Sequence, residues 1–327
     1  MNWTPSVSPL SFSSTDTLPD LILCPLPSWS SITMVGDDKK SYLQGQITNN
    51  VVTLEANKST LGAHCDAKGK MLSVFQLFHH NHGYALFQRR SAIEKELVEI
   101  KKYAVFSKIE ILQSDDVCIG LIGEQADSFI NGLNDDDSDS DVRAIAGGTA
   151  VRIDRNRWLL LISNEQVTPC AESALSAGAT LCDESIWDWA DVISARPRLD
   201  AAEQLEHIPQ AMNLQALDGI SFTKGCYTGQ ETIARAKYRG INKRAMFLLE
   251  GQAGSTLPDD LSVERQVGEN WRNAGKLLAH YHYSDNKLIG LAVLPNNLDT
   301  DTRLRLTQQP ESELTFGSLP YSLQQDD

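Results

Sequence analysis

The chain has 327 residues, 41% hydrophobic and 22% charged, the proportions of a globular protein long enough for two or three cores. Its 29 Lys and Arg against 43 Asp and Glu leave a formal net charge of −14. That acidity excludes broad nucleic-acid binding, which needs a basic face, and confines any RNA contact to an indirect link or a local patch. Six cysteines at 24, 65, 118, 170, 182 and 226 form no Cys-x-x-Cys pair. They indicate neither a zinc site nor a disulfide framework, and scattered thiols suit a reducing cytoplasm. No apolar run approaches bilayer length, and no basic segment leads into an apolar core at the N-terminus. A cytoplasmic monomer with no membrane partner is expected.

In chain order, residues 1–20 are rich in Ser, Thr and Pro and are expected as a flexible leader. Leu21–Cys24 opens a first strand, Trp29 falls in a Pro- and Ser-bounded turn, and Ile32–Val35 forms a second strand. Gly36 and Asp37 cap a helix that Gly45 ends. Residues 72–78 and 84–88 read as a hairpin turning at Asn81-His82-Gly83. Ser91 and Glu94 have the spacing of a capping box for a helix to Lys101. A strand over Val117–Ile122, a helix over Glu124–Leu133 and a second hairpin over 150–162 follow. Helices at 169–177 and 186–195 close this half, the latter carrying Trp187 and Trp189. The run Asp135–Val142 is a solvated acidic loop without the glycine and final glutamate of a calcium loop. His79, His80 and His82 cluster at a turn and suggest solvation rather than metal. Past Gly240, apolar alternation between Gly, Asn, Asp and Pro turns predicts an all-β unit with strands at 244–249, 274–283, 287–294 and 302–306. Strand, hairpin and helix recurring before it predict two α+β halves.

The densest stretch is Lys224-Gly225-Cys226-Tyr227-Thr228-Gly229-Gln230-Glu231. Two glycines in five positions indicate a sharply bent or closely approached backbone. Good helix formers run from Gln230 to Gly240, so Cys226 sits just before a helix N-terminus and beside a lysine, surroundings that favour a thiolate. Read alone, Cys226 is equally a small buried hydrophobe.

This octapeptide resembles the hallmark of the YgfZ family, folate-binding relatives of the glycine-cleavage T-protein that act in tRNA modification. The resemblance extends to Ile208–Leu217, Gly219–Phe222, Tyr238–Gly240 and Asn242–Arg244. Earlier it takes in Tyr42–Thr48, Ala63–Met71 and Leu97–Ser107, and near the end Gly268–Arg272 and Leu319–Leu323. It implies an α+β, T-protein-like fold: two interleaved ferredoxin-like modules within 21–240, then a C-terminal β-barrel over 241–327. It further implies a reduced folate (a tetrahydrofolate derivative) as cofactor, contacted by Trp29 and Trp187, and a functional thiol at Cys226. Lys224 would favour the thiolate, and Gly225, Tyr227, Gly229, Gln230 and Glu231 would support the loop. Partners implied are tRNA-modifying and iron–sulfur enzymes, with the chain an accessory factor in their support or repair. The alternative is a folate-dependent one-carbon transferase with Cys226 as nucleophile. Where many relatives place a Glu and a Gly before the proline, this chain has Ile193 and Ala195, so the usual carboxylate contact to the pterin is missing. The stretch Gly69–Ser73 also lacks the aspartate that the T-protein needs, which argues against aminomethyl transfer.

Overall fold

The computed structural model describes residues 7–133, 140–258 and 260–323. A five-stranded sheet runs in the order β3 (Ser59–Cys65), β4 (Met71–His80), β5 (Gly83–Arg89), β2 (Trp29–Val35), β6 (Glu110–Gln113). Helices α1 (Lys39–Gln46) and α2 (Arg90–Lys101) cover its outer face through Tyr42, Leu43, Ile93 and Ile100. With β3 set aside as an extra edge, the remaining elements follow the ferredoxin-like βαββαβ pattern. The run MLSVFQLFHH of β4 is apolar with little alternation because both of its faces are covered.

A six-stranded sheet runs in the order β11 (Thr180–Leu181), β1 (Ile22–Pro25), β7 (Val117–Ile122), β10 (Arg157–Ile162), β9 (Gly148–Asp154), β8 (Val142–Ile145). Its outer face packs on α3 (Ala126–Leu133) and α4 (Asn164–Ser176). The place of the last ferredoxin strand is taken by β1, from the start of the chain, antiparallel to β7 in the register Ile22↔Ile122. That exchange interleaves the modules. The inner faces of both sheets then share one core, which also holds α5 (Ser185–Ile193). A closed barrel follows, in the order β12 (Arg244–Gln252), β15 (Lys287–Pro295), β14 (Asn270–His282), β13 (Ser262–Val267), β16 (Leu304–Leu306), β17 (Gln309–Phe316).

Four local expectations need correction. Trp29 opens β2 rather than lying in a turn. Ser91 does not cap α2; its hydroxyl donates to Asp200 Oδ1 at 2.6 Å, and the capping box belongs to Asp200 and Glu203. His80 is buried, with ring nitrogens on Thr149 and Asp116. The described part of the leader is anchored: Phe12 is buried among Trp189, Tyr281 and Tyr283 at ring distances of 5.8, 5.3 and 5.4 Å. The Tyr281 hydroxyl donates to the Leu10 carbonyl, and Ser14 to the Asp285 carboxylate. Leu10 and Leu18 pack against the same core, so Phe12 shares the cost of ordering the segment with these residues and with the hydrogen bonds. Residues 1–6, and 135–139 of the acidic run, lie outside the described residues.

Phe12→Ala is expected to lower unfolding stability by about 2–4 kcal/mol and to open the segment before residue 20 to protease. Urea unfolding and limited proteolysis measure the two effects.

Candidate functional site

The octapeptide loop is built on contacts with the first module. Gly229 has φ +83° and ends the loop as the N-cap of α6 (Gln230–Arg239); Gly240 closes that helix in the left-handed conformation. A Cβ on Gly229 would lie 2.6 Å from the Asp66 carbonyl oxygen and 2.9 Å from Gly69 Cα. Gly69 has φ +76°, and a Cβ there would meet Thr232 of α6 at 2.8 Å. The loop and the Asp66–Lys70 turn therefore meet back to back through two glycines, each required twice over, by conformation and by closeness. Gly225 has open space around its Cα. The Thr228 amide donates to the Gly45 carbonyl at 3.1 Å, and the Tyr227 amide to Gln230 Oε1 at 3.3 Å. Glu231 is exposed and pairs with Arg235 one helical turn on.

Lys224 points inward. Its ammonium donates to the carbonyls of Ile47 (2.8 Å) and Asn49 (2.6 Å) and lies 5.0 Å from the Tyr227 ring centre. Burial pulls its pKa from 10.5 down to about 8. Two main-chain carbonyls are thus its hydrogen-bond partners, and the side chain ties the loop to the end of α1. Cys226 is exposed. The other five cysteines are buried or half-buried, and burial pushes each of their thiols up, which leaves Cys226 as the accessible thiol.

The tryptophans lie elsewhere, in the core between the sheets. Trp29 is 6% and Trp187 1% exposed, with ring centres 6.5 Å apart and edge to face. Phe87 stacks on Trp29 at 4.8 Å, Arg89 lies 5.1 Å from the Trp29 ring, and Arg157 lies 4.7 Å from the Trp187 ring. Gly120 of β7 makes room for the second indole, since a Cβ there would fall 2.5 Å from its ring. No hydrogen bond or ring contact joins Cys226 to either tryptophan among the described residues. Trp29 and Trp187 meet in the core, whereas Cys226 is exposed.

Three residues were not singled out from the sequence. Asp191 is 1% exposed, accepts from Arg157 Nη1 at Oδ1 (2.6 Å) and leaves Oδ2 without a partner among the described residues. Burial raises its pKa against the opposing pull of Arg157. It lies one helical turn after Trp187 on α5, a spacing that places both on one helix face. Asn213, at φ +60°, binds Met246 of β12 through both amide atoms and docks the barrel. Gln210 donates to the Ile233 carbonyl of α6 at 2.7 Å. Ile193 is 42% exposed, at the edge of a separate cleft. Ala195 has φ +46°, the left-handed region that favours glycine.

The fold is that of the T-proteins. Aminomethyltransferase T of the glycine cleavage system from Bartonella henselae superposes with a TM-score of 0.70 over 92% of this chain and 86% of that one, at 12% identity. Residues 242–309 match the family model described as YgfZ, beta-barrel domain. The tRNA-modifying protein YgfZ of Vibrio atlanticus is 54% identical over 328 residues, covering 100% of both chains. That of Photobacterium profundum is 54% identical over 310 residues, 94% of each. The chain belongs to the YgfZ family.

Gly229→Ala is expected to cost about 2 kcal/mol or more, whereas Gly225→Ala is neutral; thermal unfolding of the two variants checks the contrast. For Lys224 the folded-state pKa lies below the unfolded one, so between about 8 and 10.5 the folded chain releases its proton first. Stability contributed by this residue must therefore rise with pH through that window. The gap between wild type and Lys224→Met in denaturant titrations should change in favour of wild type from pH 8 to pH 10.

Proposed function

We propose that this chain binds a reduced folate between its two sheets and, through Cys226, supports enzymes that modify tRNA and carry iron–sulfur clusters. One observation carries the folate reading. Trp29 Nε1, Trp187 Nε1 and Asp191 Oδ2 are all buried in or beside the shared core, and none has a hydrogen-bond partner. Buried polar groups are almost always paired, and although other unpartnered atoms occur across the described residues, these three belong to two indoles in ring contact and to a carboxylate one helical turn from the second. Two donors and one carboxylate oxygen suit a pterin, which offers carbonyl and ring-nitrogen acceptors on one side and N–H donors on the other. Asp191 supplies the carboxylate that Ile193 cannot. Trp29 is covered by Phe87 and Arg89, and Trp187 by Arg157. Entry of the ring therefore requires these layers to part. A reduced folate bound there would carry a one-carbon unit on its pterin and aminobenzoate nitrogens.

Aminomethyl transfer is not proposed. Asp66, the carboxylate in the neighbouring turn, is held by the amides of Lys68 and Lys70, and Leu72 and Ser73 are buried in β4. The exposed position of Cys226 favours action on a partner protein over nucleophilic catalysis at the folate. The names of the relatives supply the tRNA link.

The test is a titration of the full chain with tetrahydrofolate and folinic acid, followed by tryptophan fluorescence. Saturable quenching is expected in wild type and in Cys226→Ser. In Asp191→Asn affinity should drop about tenfold to a hundredfold, the loss of a hydrogen bond to a charged group, while Asp154 still holds Arg157. Cells carrying Cys226→Ser should lose tRNA thiolation. Absence of saturation at about millimolar ligand, weaker than any built pocket requires, rejects the folate site; full thiolation in the serine variant rejects the role of the thiol.

A further inference from the structure

Between barrel and body lies a cleft of about 660 Å³, walled by the Asp66–Lys70 turn, residues 202–211, Thr232 of α6 and barrel positions near 242, 276 and 293. Neither Trp29 nor Trp187 lines it. In a chain of net charge −14 it gathers four cations, Lys70, Lys243, Arg244 and Lys276, against two acids, Glu203 and Glu206. The cations come from two separate parts of the fold. Lys243 has no side-chain partner among the described residues. Arg244 is fixed in place because Nη1 donates to the carbonyls of Ala274 (3.2 Å) and Val293 (2.9 Å). Its Nε and Nη2 have no acceptor among the described residues. Lys70 is held on the Glu206 carbonyl at 2.7 Å, and Lys276 on Asp260 at 3.1 Å.

The ordinary reading of such lysines is a solvated face, each charge dressed by water. Two features set this group apart. The guanidinium is held on two carbonyls through Nη1, which leaves its other nitrogens available to a ligand, an arrangement suited to an oxyanion. His207 lines the same wall, and burial together with Arg244 and Lys70 holds its pKa down at about 4, against the opposite pull of Glu206. Burial is the main cause, and Arg244 and Lys70 act on the imidazole in the same direction, so His207 stands within reach of cations from both walls. The volume is that of a small-molecule site, and cations on both walls match a ligand with more than one negative group.

We infer that this cleft binds a short polyanion, a molecule carrying several phosphate or carboxylate groups along one chain. Bound there, it bridges body and barrel. It also bears on Thr232, the residue packed on Gly69 beneath the octapeptide loop.

The full chain is titrated calorimetrically at low salt with tripolyphosphate and with a triglutamate peptide, in wild type, Lys243→Glu and Lys101→Glu. Lys101 is an exposed lysine at the end of α2, outside the cleft. Saturable binding is expected for at least one probe, weakened about tenfold or more by Lys243→Glu and unchanged by Lys101→Glu. The preferred probe tells phosphate from carboxylate. In parallel, the ring resonances of His207 should titrate at higher pH with the probe bound, because an added anion offsets Arg244 and Lys70. The inference is overturned if neither probe saturates, if both lysine variants weaken binding equally, or if the His207 titration does not move.

Discussion

The structure depends on a crossing of the chain between its two sheets within three residues. β1 ends at Pro25 and β2 begins at Trp29, yet the two strands lie in different sheets. Pro25 and Pro27 bring no N–H to either ladder, so the segment can leave one sheet without orphaning donors there. The Leu26 amide finds the Cys118 carbonyl at 3.0 Å instead. Arg90 of the first module clamps the crossing from one side, donating to the carbonyls of Pro27 (2.8 Å) and Trp29 (3.0 Å). Glu184, at the start of α5, holds Ser28 from the other through its amide and hydroxyl. The crossing forces the inner faces of both sheets onto one core and sets Trp29 at their seam, opposite Trp187.

Much of this was legible in the residues, and the gaps have physical causes. Both hairpins, the β7 strand and α6 between its two glycines follow from periodicity and punctuation, signals that local sequence carries well. The strands β13 and β17 escaped because their outward residues are charged or polar and only Val263 in one and Ser312 and Leu314 in the other are buried. Phe12 is a single apolar residue in a polar stretch, and its burial depends on aromatic partners about 177 to 271 positions away. Ser91 has the spacing of a cap, but a tertiary partner, Asp200, competes for the hydroxyl and wins. Resemblance pointed to the tryptophans and the thiol; that the indoles are buried and the thiol exposed is not written in motifs.

The shared core carries an electrostatic cost. Arg157 is 1% exposed and bound to Asp154 and Asp191, with Ser194 as a further acceptor. Desolvating such a pair costs several kcal/mol per ion, which good geometry only roughly offsets. An apolar core of the same volume would be at least as stable. Two indole N–H groups and one carboxylate oxygen left unpaired add about 1–3 kcal/mol each. Stability alone does not account for this arrangement, and the proposed binding of a polar, flat ligand is consistent with it.

The thiol follows a different logic. Cys226 is flanked by anchored residues: Lys224 on two carbonyls before it, Tyr227 buried after it, and Gly229 packed on the Asp66–Lys70 turn. The sulfur itself is exposed. A group on an anchored mount is displayed at a fixed position, which suits presentation to another surface and does not suit closing over a small substrate. Tyr227 belongs to the same core cluster as Trp29 and Trp187. Tyr227 is joined by one peptide bond to the residue that carries the thiol, so the displayed sulfur is mounted on the core that the two sheets share.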